Sequence, residues 1–422
     1  MELSTSPSSS ASSQPSFTQK DLGYFRVLRE FREALAKAQE EVELHRSFSH
    51  PARLLGIGDY VGLVLFGLLN PVARTIRGLC HASHFKKVQK DVCSRPVSLG
   101  SASEAQHLVD IQVLERVLGD LLERRREEKK EANSNQGTAS KAAEVVEWML
   151  HDGSIFPALD RMSWALYGGG KNGSAKAVRL HLSFDVENDA PAAASVCEAK
   201  KCERGHLREN LKRGGAYVAD RLYGLEYGFF KELEDMKCRY CIRIKDSAEI
   251  EIIEELALSE SDKRSGVVKQ HLVRLGLGKR AADTQSPKLR LVYVRGVSGE
   301  ILVLATNLGI DELSAADVAL LYRKRWEIEY YFRWIKCVMG CGHWMAESRN
   351  GATIQIYLAL IASLLLQLQL GHRPSKRVWE LLQWHQSGML EDGELQALLA
   401  KQLAMEQAQR EKKPREPFWK NL

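Results

Sequence analysis

Residues 20–46 carry a charged helical pattern, and LLGIGDYVGLVLFGLL after them is apolar on every side, as a buried helix is. Asn70-Pro71 stops that helix, and shorter ones follow with Arg74, Arg77, Lys86, Lys87 and Lys90. Ser103, with Glu104 and Gln106 behind it, opens a further helix in which Leu108, Ile111, Leu114, Val117, Leu118 and Leu121 recur at helical spacing. It ends in ERRREEKKEANSNQGTAS, a solvated helix end running into a linker. An all-helical region over 19–140 is therefore expected, with the first domain boundary near residue 140.

From residue 150 the pattern changes. A short apolar strand is expected over 155–160, ending at Asp160. In VRLHLSFDV, Val178, Leu180, Leu182, Phe184 and Val186 alternate with other side chains, which is the period of a strand. A third short strand near Ser195–Ala199 precedes the helix HLRENLKR and the compact strand AYVAD, which ends at Asp220. The helix LEYGFFKELEDM and the strand RYCIRIK complete a series that fits an α/β fold on a mixed sheet. Residues 246–314 read as a β-rich insertion: a polar helix or loop over Glu249–Leu258, then the strands KQHLVRL, LRLVYVRG and EILVLATNL. Ile354–Leu370 is broken by Gln355, Gln367 and Gln369, which suits a buried helix better than a membrane span. Residues 373–422 are helical and charged.

Composition narrows the picture. A chain of 422 residues suggests two or three domains, and 44% hydrophobic residues provide for a large core. The net charge of +6 sets 60 basic against 54 acidic residues, which permits a nucleic-acid partner without requiring one. The Ser-rich residues 1–18 lack the basic and apolar regions of a signal peptide and read as a disordered tail, so a cytoplasmic protein with no membrane contact is expected. Cys238 and Cys241 fall within a strand rather than a knuckle, so buried reduced thiols are expected there in preference to zinc.

The most informative segment is LLYRKRWEIEYYFRWIK. Tyr322, Arg325, Glu329 and Lys336 stand in it at spacings Y-x2-R-x3-E-x6-K. In one helix those offsets place the four side chains within roughly a 60° arc. A carboxylate there suits a metal, and the phenol, guanidinium and ammonium suit phosphate oxygens. Trp326 and Trp334 are expected to pack in the core, and Arg333 to join the face of the four.

This motif resembles that of the DDE transposases of bacterial insertion sequences that carry the Y-R-E-K signature, the insertion-sequence-4 type. The resemblance runs from about Ser49 to about Leu370. It implies a ribonuclease-H-like mixed sheet with helices on both faces, over 150–245 and 315–372, interrupted by the 246–314 insertion and preceded by a helical, DNA-binding domain. It implies a metal-binding triad of two Asp and one Glu, expected at Asp160, Asp220 and Glu329, with Asp152 in HDGS and Asp185 in SFDVEN as alternatives for the first. Asp160 is preferred because LDRMSW precedes the long strand as the family's first Asp does. Arg161 and Met162 depart from the small residues usual there, and Leu222 stands where Gly is usual after the second Asp. Two Mg²⁺ ions (Mn²⁺ in their place) about 4 Å apart would serve phosphodiester hydrolysis and strand transfer. Tyr322, Arg325 and Lys336 would contact the DNA backbone. The partners implied are terminal inverted repeats and target DNA, bound by a homodimer on paired ends. The insertion has no Trp to receive a flipped base, which counts against a hairpin intermediate. The alternatives are a DNA-binding protein that has lost catalysis and a nuclease without strand transfer.

Overall fold

The computed structural model describes residues 24–43, 54–70, 72–135, 147–167, 176–199, 203–276, 286–296 and 299–412. The Ser-rich tail, the linker at 136–146 and the closing residues 413–422 lie outside the described residues.

Six helices come first: α1 (Tyr24–Glu41), α2 (Ile57–Leu69), α3 (Ile76–Ala82), α4 (Lys86–Asp91), α5 (Leu99–Leu108) and α6 (Ile111–Asn135). The stretch expected to be one helix from Ser103 is two. Ser98 caps α5 three residues before Ser101, and Val109 turns to an extended backbone between α5 and α6. Both helices still bury their apolar faces, including Ala102, Ala105, Val113, Leu114, Val117 and Leu121.

Nine strands follow: β1 (Trp148–Pro157), β2 (Ala177–Asp185), β3 (Ala190–Glu198), β4 (Ala216–Ala219), β5 (Arg239–Ile244), β6 (Ile250–Leu256), β7 (Val267–Leu275), β8 (Leu289–Arg295) and β9 (Ile301–Thr306). They form one mixed sheet in the order β3-β2-β1-β4-β5-β9-β8-β7-β6. The pairs β1–β4 and β4–β5 are parallel and the others antiparallel. The 246–314 segment therefore extends the sheet, β9 pairing directly with β5. The polar run after Glu249 is strand β6, not a helix or loop. It is an edge strand whose Glu and Ile side chains face solvent, and a register shift at Ile252/Glu254 bends it.

Between strands run α7 (Glu203–Glu209), α8 (Gly228–Asp235) and α9 (Glu260–Arg264). After β9 come α10 (Ala315–Arg323), α11 (Trp326–Cys337), α12 (Arg349–Leu370), α13 (Lys376–Gln386) and α14 (Asp392–Lys412). One face of the sheet packs on α7 and α8 through Leu207, Phe229, Phe230 and Leu233. The other belongs to a continuous core shared with α1, α2, α6, α10, α11 and α12.

At the centre of that core lies α12, capped by Ser348 and ended by Gly371 in the left-handed conformation (φ 77°). It is long and apolar enough to cross a membrane, yet 89% of its most apolar window is buried inside the protein. Two of its glutamines have structural work. Gln355 holds the loop before it through the carbonyls of Cys341 and His343 and the amide of Met345, and Gln367 donates to the Asp189 carbonyl. Gln355, bonded through both its oxygen and its nitrogen, avoids the penalty of an unpaired polar group.

Candidate active site

Strand β1 carries the first carboxylate, and its position departs from expectation. The parallel register pairs Trp148 with Ala216 and His151 with Ala219, so the next step sets Asp152 beside Asp220, which immediately follows β4. Asp160 is not there. It sits in an exposed turn beyond the strand, its carbonyl bonded by Lys176. The strand runs on from Asp152 to Pro157, about 16 Å at the usual rise, before that turn begins. The strand expected over 155–160 instead opens at Trp148, encloses HDGS and ends at Pro157. Asp185 is also placed elsewhere: it is fully buried against Arg126, which holds α6 to the end of β2.

Alternate side chains of β1 meet α11 in register. Asp152 Oδ2 accepts from Arg325 Nη1 at 3.0 Å, and the same nitrogen donates to Glu329 Oε1 at 3.1 Å. Two residues on, Ser154 Oγ accepts from Lys336 Nζ at 2.7 Å. Two further on, the Phe156 ring lies 4.8 Å beneath that ammonium. The period of a strand and the turns of a helix thus bring Asp152, Ser154 and Phe156 against Arg325, Glu329 and Lys336. Ser154 was not foreseen as a site residue. Its signal was its place two residues after an acid on one strand.

The Y-R-E-K segment is not one helix. At Lys324–Arg325 the backbone tightens, with Arg325 N–H donating to Tyr322 and Glu327 N–H to Lys324. Such i→i−3 bonds turn the chain about 120° per residue instead of 100°. Tyr322 is thereby swung into the core, 6% exposed, with burial raising its pKa. Arg325 occupies the joint, its guanidinium against the rings of Trp326 (5.4 Å) and Tyr322 (5.9 Å). Trp334 packs in the core as expected, its indole N–H bonded to the Pro374 carbonyl. Trp326, by contrast, is 37% exposed. Arg333 is exposed, over the Tyr330 ring, and does not join the site face.

The 246–314 segment braces this arrangement. Asp262 accepts from the Ala316 amide in the first turn of α10, and buried Arg290 donates to the Leu313 carbonyl just before it. Arg323 at the far end of α10 donates to the Ser265 carbonyl. The turn after Asp220 is fixed by the Leu222 amide bonding the Asp220 carboxylate. Gly224 there approaches β5 so closely that a Cβ would stand 2.5 Å from the Arg243 carbonyl.

Electrostatics mark Asp152 as the unusual group. Burial pushes its carboxyl up to about 7; Arg325 opposes this, while Glu329 and Asp220 add to it. Burial works against the Arg325 charge, but Tyr322, Asp152 and Glu329 outweigh it and raise the guanidinium pKa. Burial lowers that of Lys336. Three carboxylates therefore share one region with less positive charge than they need, and carboxylate oxygens are the donors a hard divalent cation prefers. Among the described residues no three His, Cys, Asp or Glu side chains converge tightly enough to hold an ion as they stand, and the Arg325 guanidinium lies between Asp152 and Glu329.

The opposite face of β1 buries neutral groups. His151 is fully enclosed, Nδ1 against the Ser183 hydroxyl at 3.1 Å, and burial with the neighbouring His206 lowers its pKa to about 3. His181 stacks on His206 at 5.3 Å. Cys238 and Cys241 are buried at β5, the Cys238 thiol donating to the Lys212 carbonyl.

A second surface lies on the early helices. Arg77 and His81 on α3, His84 after it, and Lys86, Lys87 and Lys90 on α4 are exposed, and an open groove of about 590 Å³ is lined by Thr75, Arg77, His81, His84 and Ser98.

A mixed α/β protein with these features has relatives among known sequences. Residues 148–365, just over half of the chain, match the transposase DDE domain, and the chain belongs to that family. It is 26% identical over 223 residues to the putative transposase y4zB of Sinorhizobium fredii, covering 52% of this chain and 60% of that protein. It is 28% identical over 210 residues to the probable transposase of the insertion element IS5377 of Geobacillus stearothermophilus, covering 49% and 52% respectively. Among solved structures, a piggyBac transposase synaptic complex with hairpin DNA aligns over 91% of this chain at 10% identity, with a TM-score of 0.38. The matched region thus spans between half and two thirds of the length of the first two relatives.

Proposed function

We propose that the protein is a cut-and-paste DNA transposase whose acidic triad is Asp152, Asp220 and Glu329. The observation that carries this reading is the meeting of Asp152 and Asp220 at adjacent parallel strand ends with Glu329 brought to them by α11. The strand order β3-β2-β1-β4-β5, antiparallel then parallel, supports the ribonuclease-H-like arrangement of this family. Divalent metal, Mg²⁺ or Mn²⁺, bound by the three carboxylates would supply activation of the attacking oxygen and stabilisation of the leaving one. Arg325 would bind a phosphate beside the scissile bond, its planar fork matching two phosphate oxygens. Lys336, steadied by Ser154, neutralises charge at the same backbone. Tyr322 supports the Arg325 side chain from the core. The exposed Arg77, Lys86, Lys87 and Lys90 of α3 and α4 would track the duplex away from the site, and binding would weaken with salt as counterion release is lost. The substrate class is duplex DNA carrying terminal inverted repeats, held by a homodimer on paired ends within the cytoplasm.

The test is metal-dependent cleavage of a labelled duplex bearing the element's terminal repeats, comparing wild type with Asp152→Asn and Glu329→Gln. Cleavage at the repeat boundary by wild type alone is expected. Specific binding without cleavage would favour a DNA-binding protein that has lost catalysis, and cleavage without joining a nuclease. Equal cleavage by the variants would sink the triad.

A further inference from the structure

Arg325 stands where the triad's counter-charge is needed. One guanidinium nitrogen is shared between Asp152 and Glu329, and its side chain is 12% exposed. A cation already bonded to two of the three carboxylates excludes another from the same oxygens. We propose that Arg325 closes the carboxylate cluster to divalent metal until a DNA phosphate draws the guanidinium away, so that metal and DNA bind with positive cooperativity. This rests on the proposed triad and adds a regulation that the triad alone does not require.

Three features suit the side chain to such a movement. It springs from the joint between α10 and α11, where the turn is tighter than either helix. Its Nε is buried and has no hydrogen-bond partner among the described residues, so a donor remains unspent while the carboxylates hold Nη1. Beside it, Trp326, 37% exposed, has its ring 5.4 Å from the guanidinium carbon, a surface along which the side chain can turn outward. A phosphate arriving there competes for the fork with acceptors that need a stronger cation. Once the guanidinium turns to the phosphate, Asp152 and Glu329 are left for the metal. Each ligand thus removes the obstacle to the other, and linkage makes the effect reciprocal.

The experiment measures Mn²⁺ binding by water-proton relaxation, without catalysis, on wild type, Arg325→Gln, Arg325→Lys and Asp152→Asn. Each is measured alone and with a short mixed-sequence duplex, and Asp152→Asn gives the background from Mn²⁺ on the duplex. Arg325→Gln without DNA is expected to bind Mn²⁺ about tenfold more tightly than wild type, within the usual range of allosteric coupling. Duplex should tighten Mn²⁺ binding by wild type and by Arg325→Lys, but not by Arg325→Gln. Reciprocally, Mn²⁺ should raise wild-type affinity for fluorescent duplex by the same factor. Equal Mn²⁺ affinity in wild type and Arg325→Gln would overturn the inference while leaving the triad intact. If circular dichroism shows Arg325→Gln unfolded, wild type with and without duplex decides, and no change in Mn²⁺ affinity overturns the inference. No binding above the Asp152→Asn background in any state would remove the metal site itself and the inference with it.

Discussion

The two faces of β1 bury polar groups by opposite means. Toward α11, Asp152 meets Arg325 and Glu329, so charge is buried with counter-charge. Toward β2 and α7, His151, His181 and His206 are packed with Ser183 and Ser195, and His151 is kept neutral by burial. The neutral face needs only shape and a few hydroxyls. The charged face needs partners that arrive from a distant part of the chain, and an imbalance of charge left there can be used by a ligand.

Substitution at Asp152 breaks the comparison most severely. Asp152→Asn should cut metal-dependent cleavage by roughly a thousandfold or more, because a metal ion supplies several kcal/mol and each 1.36 kcal/mol is tenfold. Asp160→Asn, an exposed turn position, should leave cleavage within about twofold, as surface changes usually stay within ±0.5 kcal/mol. A reversal of those two results in the labelled-duplex assay would restore Asp160 to the site.

Titration sharpens the contrast. Asp152, raised to about 7 from 3.8, takes up a proton on folding, so its contribution to stability falls as pH rises through that window. His151, lowered to about 3 from 6.5, releases one, so its contribution is present above pH 6.5 and is lost as pH falls below it. The two slopes oppose each other between about pH 4 and 6.5. In metal-free thermal melts, Asp152→Asn should steepen the loss of Tm on acidification and His151→Leu should flatten it, each by a few degrees. Parallel curves for both variants and wild type would refute the assignment.

A smaller effect is expected from Ser154→Ala, which removes the acceptor for the Lys336 ammonium. A hydrogen bond to a charged group contributes about 1.5–3 kcal/mol to stability, so Tm should fall by a few degrees, and cleavage by roughly tenfold as Lys336 loses its position. An unchanged rate would leave Lys336 positioned by Phe156 alone. Asp262→Ala should lower the rate a few-fold by loosening the start of α10, and it should also lower Tm, because it removes three hydrogen bonds of about 1 kcal/mol each, two of them in the cap of α9.

These particulars show what a sequence can carry. AYVAD announces β4 because four small or apolar residues run directly into an acid, and the Y-R-E-K spacing marks Glu329. β1 was misplaced because WMLHDGSIFP buries a histidine on one face and an aspartate on the other, which erases the period-2 contrast that reveals a strand. Its partner β4 lies some sixty residues away, so the register that sets Asp152 beside Asp220 leaves no local trace. Strands β7, β8 and β9 of 246–314 are legible individually, whereas β6, too polar to read as a strand, and the union of β9 with β5 are not, since the latter depends on Cys241 meeting Thr306. The helix break at Arg325 was hidden for a related reason: it answers to what the side chain bonds rather than to any helix-breaking residue.

The order of these residues along the chain carries a consequence for biosynthesis. Asp152 and Asp220 leave the ribosome well before Arg325 and Glu329, which come only after β6 to β9. A half-made chain therefore carries Asp152 and Asp220 before the guanidinium that pairs with Asp152 exists. The acidic centre is therefore complete only once α10 and α11 have been made, and these bring Glu329 together with the cation it pairs with.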